Sequence, residues 1–330
     1  MPFSEAMLIP PHPATPLNED GAYHIRDYRL GDEAAITNLF GQVFGTPLTM
    51  AQWRWKYLDS GLGTPLTMLA FDQGGRLVGH AGAIPLRGGR RNRPLPFFQI
   101  CDVMVHPAAR GQLGGRNLFT QLVRELLSNL AQRWPNAFAY GFPGQRPFKL
   151  GEYTRVYGRV EQAATVHRSA RRGGFPLLYT QPLAWGDPRL DALWNRLAPH
   201  FNLALIRDQS YLRWRYATHP IHAYNLLGLY AAGGLLGWAV TRSNNNRLQV
   251  VDLLLSRHWL RPALAALDRV AWATGVAEWE IWLPRGWREV SGGCQESTEV
   301  VVANMVWRLA IPTDEVSRDL YYTMGDLDIF

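Results

Sequence analysis

The chain has 330 residues, 47% hydrophobic and 18% charged, with a formal net charge of +7 and a pI of about 9.6. This exceeds a single core, which stops growing near ~250–300 residues, so two domains are expected. The apolar content excludes a disordered chain, and the basic balance favours an anionic partner: nucleic acid, acidic lipid or a phosphorylated cofactor.

Taken in chain order, residues 1–22 are Pro-rich, without a basic n-region or a sustained apolar stretch, and read as a flexible lead. "WRWKY" (Trp53–Tyr57) closes an aromatic helix, and two strands follow, "LTMLAF" (Leu66–Phe71) and "LVGHAG" (Leu77–Gly82), around the turn "DQGG". "RGGRRNRP" (Arg87–Pro94) reads as a hairpin tip, usually a solvated surface, otherwise a contact for an acidic acceptor or an adenosine 3′-phosphate. "FQICDVMV" (Phe98–Val105) is an apolar strand carrying one acid, Asp102, and an amphipathic helix is expected from Asn117. "AFAYGFPG" reads as a further strand, and "HRSARRGGF" (His167–Phe175) as a basic linker.

The same plan then recurs. "LRWRY" (Leu212–Tyr216) repeats the aromatic phrase, followed by "NLLGLY", the turn "AAGG" and "LLGWAV" (Leu235–Val240). "LQVVDLLL" (Leu248–Leu255) repeats the acid-bearing strand with Asp252, and "PALAALDRVAWAT" repeats the helix. Tyr224–Val240 is the longest uncharged apolar stretch, but it is short and carries Gly233-Gly234, so two strands explain it better than a membrane span. Two α/β units of one design therefore follow head to tail.

The copies differ after the acid-bearing strand. The first reads "HPAARGQLGGRNLF", an Arg/Gly-rich strand-to-helix loop in which glycines admit a ligand to backbone N–H groups and the helix N-terminus is positive. Arg110 and Arg116 add cations, completing the logic of a pyrophosphate cradle. The second reads "SRHWLRPALAALD", with His258, Trp259 and Pro262 and no glycine.

At these residues the chain resembles the GNAT superfamily of acyl-CoA-dependent N-acyltransferases. The family's pyrophosphate motif, Arg/Gln-x-x-Gly-x-Gly/Ala, is met at Arg110 and Gly115 within Arg110-Gly111-Gln112-Leu113-Gly114-Gly115. Its fourth position, normally Gly, is Leu113, with Gly114 next to it. Tyr23–Phe40 resembles the family's first strand and first helix, with Asp32 able to cap that helix. The resemblance covers about Tyr23–Glu161 well and the second copy more weakly, as in tandem-GNAT proteins found beside bacterial polysaccharide-biosynthesis enzymes.

What the resemblance implies is an α/β (α+β) chain of two tandem GNAT-like domains, each a mixed, mostly antiparallel sheet flanked by helices. Residues 1–22 are the lead, 23–165 the domain with the CoA loop, and 166–330 a degenerate copy shaping the acceptor site. Acetyl-CoA or another acyl-CoA would be the cosubstrate. The backbone of Val103, Met104 and Val105 would pair with the pantetheine arm, and Arg110–Arg116 would hold the pyrophosphate. An amine would attack the thioester directly.

Asp102, beside that backbone, is a candidate base; the bland alternative is a satisfied structural carboxylate, which its repeat Asp252 favours. The family's usual acid, a Tyr four residues before a Gly, falls on Pro147 here, relative to Gly151. Tyr140, Tyr153 and Tyr157 are the substitutes, Tyr140 the best placed. The histidines show no metal-ligand spacing, so no metal is expected. Neither Arg-rich stretch has the spacing of a nucleic-acid module. With two cysteines there is no disulfide framework, and a reducing cytoplasm is the default. The C-terminal "DLYYTMGDLDIF" is either a solvated end or a tail lining an acceptor pocket between the units.

The reading is a cytoplasmic acyl-CoA-dependent N-acyltransferase acting on an amine of a small molecule or sugar. Its alternatives are an aminoacyl-tRNA-dependent transferase of tandem-GNAT type and a non-catalytic CoA-binding scaffold.

Overall fold

The structure, a computed structural model, describes residues 23–60, 65–111, 116–172, 177–244 and 246–328. The first half runs β1 (His24–Asp27), α1 (Glu33–Phe44), α2 (Met50–Tyr57), β2 (Leu66–Phe71), β3 (Leu77–Arg90), β4 (Arg93–Val105), α3 (Leu118–Arg133), β5 (Phe138–Gly141), α4 (Gln145–Tyr153) and β6 (Tyr157–Ser169). The second runs β7 (Tyr179–Pro182), α5 (Arg189–Leu197), β8 (Leu203–Leu205), α6 (Gln209–Leu212), β9 (Asn225–Ala231), β10 (Gly234–Asn244), β11 (Arg247–Leu254), α7 (Leu260–Ala273), β12 (Glu278–Trp282), α8 (Arg285–Ser291), β13 (Cys294–Met305) and α9 (Thr313–Asp319).

These strands form one mixed sheet in the order β1-β2-β3-β4-β5-β13-β6-β12-β11-β10-β9-β7, with β8 on β3. Two pairs are parallel, one per half: β4 with β5 from Phe97↔Phe138 to Ile100↔Gly141, and β11 with β12 from Leu248↔Trp279 to Val250↔Ile281. The expected duplication is thus present in the sheet itself. The halves also exchange strands. β13 lies between β5 and β6, while β6 reaches across to β12. The expected division between residues 165 and 166 therefore falls inside β6.

Three apolar cores follow from this arrangement. One lies under α3 with Leu118, Leu122 and Leu126, and a second under α7 with Leu260, Leu264 and Leu267. The third, on the opposite face, is shared, drawing Trp53, Phe97 and Tyr140 from one half and Leu212, Tyr216 and Trp238 from the other. Burial of this shared face supplies the adhesion that joins the halves.

Local chemistry explains the element ends. Asn117 caps α3, its side-chain oxygen accepting from Thr120 N at 2.8 Å. Ala232 and Gly233, at φ 47° and 80°, make the tight β9–β10 turn expected near Gly233-Gly234. Asp32 stands at the expected position before α1 but makes no side-chain cap. Its carboxylate instead binds Arg26 at 2.7 and 2.8 Å, the stronger, bidentate partner.

The Arg-rich segment is the tip of the β3–β4 hairpin, as its sequence predicts. It reaches into the second half, where β8 pairs with Gly88–Arg90. Two of its four arginines are closely partnered there: Arg87 with Asp208 at 2.7 Å and Arg90 with Glu315 at 2.5 Å. The segment expected as a basic linker begins inside β6, where Arg168 binds Asp268 at 2.7 Å. Its Gly173–Phe175 part, like the lead 1–22, lies outside the described residues. Cys101 is buried and Cys294 exposed, both as free thiols. Among the described residues no helix is long and apolar enough to cross a membrane.

Candidate active site at the junction of the two halves

The two copies of the aromatic phrase meet. Trp55 Nε1 donates to Trp214 O at 2.8 Å and Trp214 Nε1 donates to Trp55 O at 2.9 Å, across a separation of 159 residues. Their rings stack with centroids 5.3 Å apart. Such reciprocal bonding is the signature of a local two-fold axis. The tyrosine of each copy then reaches the acid of its own half: Tyr57 Oη donates to Asp102 Oδ2 at 2.6 Å, and Tyr216 Oη to Asp252 Oδ2 at 2.8 Å. Glycine makes room for each hydroxyl. A Cβ at Gly82 would come within 2.5 Å of Tyr57 Oη, and one at Gly325 within 1.9 Å of Tyr216 Oη.

Asp102 lies at φ 48°, on a bulge of β4 opposite β3, and both its oxygens accept from Lys56 Nζ at 2.8 and 2.9 Å. Lys56 also pairs with Asp328. Burial opposes charge on Asp102, but the Lys56 ammonium prevails and holds its carboxyl below the usual range. Cys101, Asp102 and Asp328 come close enough to hold a metal, yet the Lys56 ammonium already occupies the space between the two carboxylates.

Beyond Ile100 and Gly141 the β4–β5 pairing ends, so among the described residues no strand pairs with the side of Val103, Met104 and Val105 away from β3. Arg110, exposed, folds back to donate from Nε to Val105 O at 2.9 Å. Gly111 takes φ 136°, a conformation that glycine tolerates. Arg116 is exposed one residue before the α3 cap. Gln112, Leu113, Gly114 and Gly115 lie outside the described residues. Arg110 is thus held at the expected strand end, and Arg116 stands at the N-terminus of α3.

The matching place in the second half is filled by the chain's own tail. Tyr321 Oη donates to Leu253 O at 2.5 Å, and Thr323 Oγ1 donates to Asp252 Oδ1 at 2.9 Å. Aligning Asp252 with Asp102 makes Leu253 the counterpart of Val103. The tail is thus buried, and the expectation of a solvated end is corrected. Cations draw it in: Arg207 binds Asp252 at 3.1 Å and Asp326 at 2.5 Å, and Arg215 Nε donates to Gly325 O at 2.8 Å. Sequence reasoning did not single out Lys56, Tyr57, Arg207 or Arg215 for these roles. The repeated Lys/Arg-Tyr ending of the phrase, read against the repeated acid, was the available signal.

Tyr140 points into the shared core, 1% exposed, stacked on Phe138 with ring centroids 5.5 Å apart. Its hydroxyl has no hydrogen-bond partner among the described residues, and burial keeps it protonated. Tyr153 is exposed, and Tyr157 packs on the α3 side against Phe148.

Asp326 gives a testable pH dependence. A simple ion pair would lower its carboxyl, but one guanidinium is shared here by two buried carboxylates. Burial first, with Asp252 adding to it, pushes Asp326 up to about 6. A raised acid stabilises the fold while protonated; that contribution is whole below the ordinary value of 3.8 and is lost as pH climbs through about 6. Stability measured by urea unfolding should lose this contribution across that interval, and Asp326→Asn should flatten it there. An unchanged slope in the variant would contradict the assignment.

Residues 24–158 match the sequence model of a family described as an acetyltransferase (GNAT) domain. No curated protein sequence matches the chain. Among solved structures, it is similar to a probable N-acyltransferase from Enterococcus faecalis, with TM-score 0.65 and 15% identity over 86% of this chain and 72% of that one. A GCN5-related N-acetyltransferase from Anabaena variabilis gives TM-score 0.64 and 11% identity over 87% and 73%. Saccharomyces cerevisiae N-myristoyltransferase with bound myristoyl-CoA gives 0.57 and 11% over 90% and 80%. The chain has the tandem GNAT fold. The match to the acetyltransferase (GNAT) domain lies in its N-terminal half, and the structures it resembles include N-acyltransferases, one of them with myristoyl-CoA bound.

Proposed function

We propose that the protein transfers an acyl group, acetyl in the simplest case, from CoA to an amine of a small molecule or sugar. One observation carries this reading. The strand end at Val103–Val105 has no strand partner on its β5 side and is met by Arg110, while its duplicate at Leu253 is bonded by the tail. One half is arranged to receive a donor and the other to seal itself and wall the acceptor side.

In this reading the backbone of Val103, Met104 and Val105 aligns the pantetheine arm. Arg110 and Arg116, with Gly111, Gln112, Leu113, Gly114 and Gly115, hold the pyrophosphate. Asp102, saturated by Lys56 and Tyr57, is a weak base and acts as a positioning residue, fixing β4 at its bulge. Tyr140, protonated beside the end of the β4–β5 pairing, is assigned the return of a proton to the CoA thiolate. The partnered Arg-rich hairpin leaves fewer free cations for RNA, which favours an acyl-CoA donor over aminoacyl-tRNA.

The test is thiol release from acetyl-CoA across a panel of small-molecule and amino-sugar amines, with mass spectrometry of the products. Amine-dependent release with the matching mass gain supports the reading. Acetyl-CoA binding with no turnover across the panel would replace it with the scaffold alternative, and turnover only with charged tRNA with the other.

A further inference from the structure

The duplication offers an internal comparison at the open strand end. "LVGHAG" and "LLGWAV" align His80 with Trp238, and the sheet agrees: His80 pairs with Met104 and Trp238 with Leu254, each two residues beyond its repeated aspartate. Both side chains are fully buried. The half with the CoA loop thus carries an imidazole where the closed half carries an indole. An indole has a donor and no basic lone pair, whereas a neutral imidazole has both.

The tautomer of His80 is fixed by its partner. Its Nδ1 lies 2.7 Å from the carbonyl oxygen of Asp102, which can only accept. Nδ1 therefore carries the hydrogen and Nε2 the lone pair. Nε2 is buried and has no partner among the described residues. Trp238 Nε1 is likewise buried without a partner among the described residues, so what distinguishes this place is that the orphaned atom of His80 is a basic lone pair and not a donor. The ring rests on Tyr57, with centroids 6.0 Å apart, on the α2 side of β3.

The groups facing it are Lys56 and Tyr57 from α2 and Asp102 from β4, with Cys101 bonded in turn to Tyr57 and Asp328 of the tail to Lys56. Burial holds the imidazole below its ordinary value against the attraction of Asp102, so the ring is neutral at pH 7. Tyr57 and the Cys101 thiol are both pushed up by burial and remain protonated, and Asp102 is committed to Lys56. Among these neighbours His80 Nε2 is the one unengaged basic atom.

We propose that His80 Nε2 is the base of the acyl transfer. This rests on the N-acyltransferase reading given above. An acceptor arriving as an ammonium first loses one proton to solvent. Its nitrogen then attacks the thioester carbonyl, the C–N bond forms, and the second N–H proton passes to His80 Nε2. The C–S bond breaks, and the CoA thiolate takes a proton from Tyr140. The imidazolium returns its proton through solvent to the Tyr140 phenolate, so amide and free thiol are the only products.

His80→Asn tests this, because its amide N–H can still donate to Asp102 O while the basic Nε2 is lost. With acetyl-CoA and the amine found active above, kcat is expected to fall about 10²–10⁴-fold. Acetyl-CoA affinity and melting temperature should change little. Besides the acid limb that the acceptor ammonium itself sets, the wild-type kcat/KM profile should show a second, lower break from the imidazole, and this break should vanish in the variant. Turnover within a few-fold of wild type, or a retained second break, would overturn the proposal. Should the Asn variant fail to fold, nitrogen-15 NMR of the wild-type ring decides. An Nδ1–H tautomer with bare Nε2 at neutral pH is expected, and an Nε2–H tautomer or imidazolium excludes the base role. A wild-type protein inactive on every amine instead defeats the function reading, whatever the ring shows.

Discussion

Arg207→Met should lower the unfolding free energy by about 3–5 kcal/mol, the usual cost of breaking a buried ion pair from one side. The guanidinium is fully buried and holds two carboxylates, Asp252 and Asp326, each nearly inaccessible to water. Methionine fills much of the volume but leaves two buried acids facing each other. Asp326 is the one able to take a proton, which limits the damage at low pH, so the loss should be larger at pH 8 than at pH 5. Adding Asp326→Asn to Arg207→Met should recover part of the loss, because the repulsion goes with the charge. Urea unfolding at the two pH values measures this. A loss under about 1 kcal/mol at pH 8 would mean that the tail is not held at the centre by this arginine.

Arg110→Ala combined with Arg116→Ala should weaken acetyl-CoA binding on the order of 100-fold or more, since charge-assisted contacts contribute about 1.5–3 kcal/mol each and ~1.4 kcal/mol is tenfold. Both side chains are exposed, so the loss should shrink at high salt, where the wild-type affinity also falls. Stability should be nearly unchanged, because the one bond of Arg110 is to the Val105 carbonyl at the surface. Affinity unaltered by the double substitution would remove the cradle from this loop.

Much of the fold was legible because duplication writes the same physical solution twice. The strands at Leu66–Phe71, Leu77 onward and Leu248 onward, and the helices following each acid-bearing strand, fall where alternation and helical spacing put them. The exchange of β6 and β13 was not legible. Neither segment stood out as a strand, since both mix polar with apolar residues, and nothing in a local pattern says which neighbour a strand will choose.

The site divides in the same way. The Arg/Gly loop announced itself by composition, since only glycine lets backbone N–H groups close on a ligand. Tyr57 was visible as a core aromatic and Lys56 as its neighbour in the repeated phrase, but their aim at Asp102 depends on packing contacts 45 and 46 residues distant, respectively. Asp326 and Asp328 looked like a polar end until Arg207 and Lys56 were seen to hold them. His80 was invisible on its own, a lone histidine in an apolar strand. It gains meaning only when the second copy shows tryptophan in its place.

Counting the acyl-CoA sites tests the central claim of one open and one closed half most directly. Calorimetric titration of acetyl-CoA into the full chain should saturate near one equivalent, since Leu253 is bonded by Tyr321 and no glycine precedes α7. Gly115→Trp should abolish that single site. Saturation near two equivalents, or binding that survives Gly115→Trp, would contradict the account by placing a donor in the half that the tail is said to close.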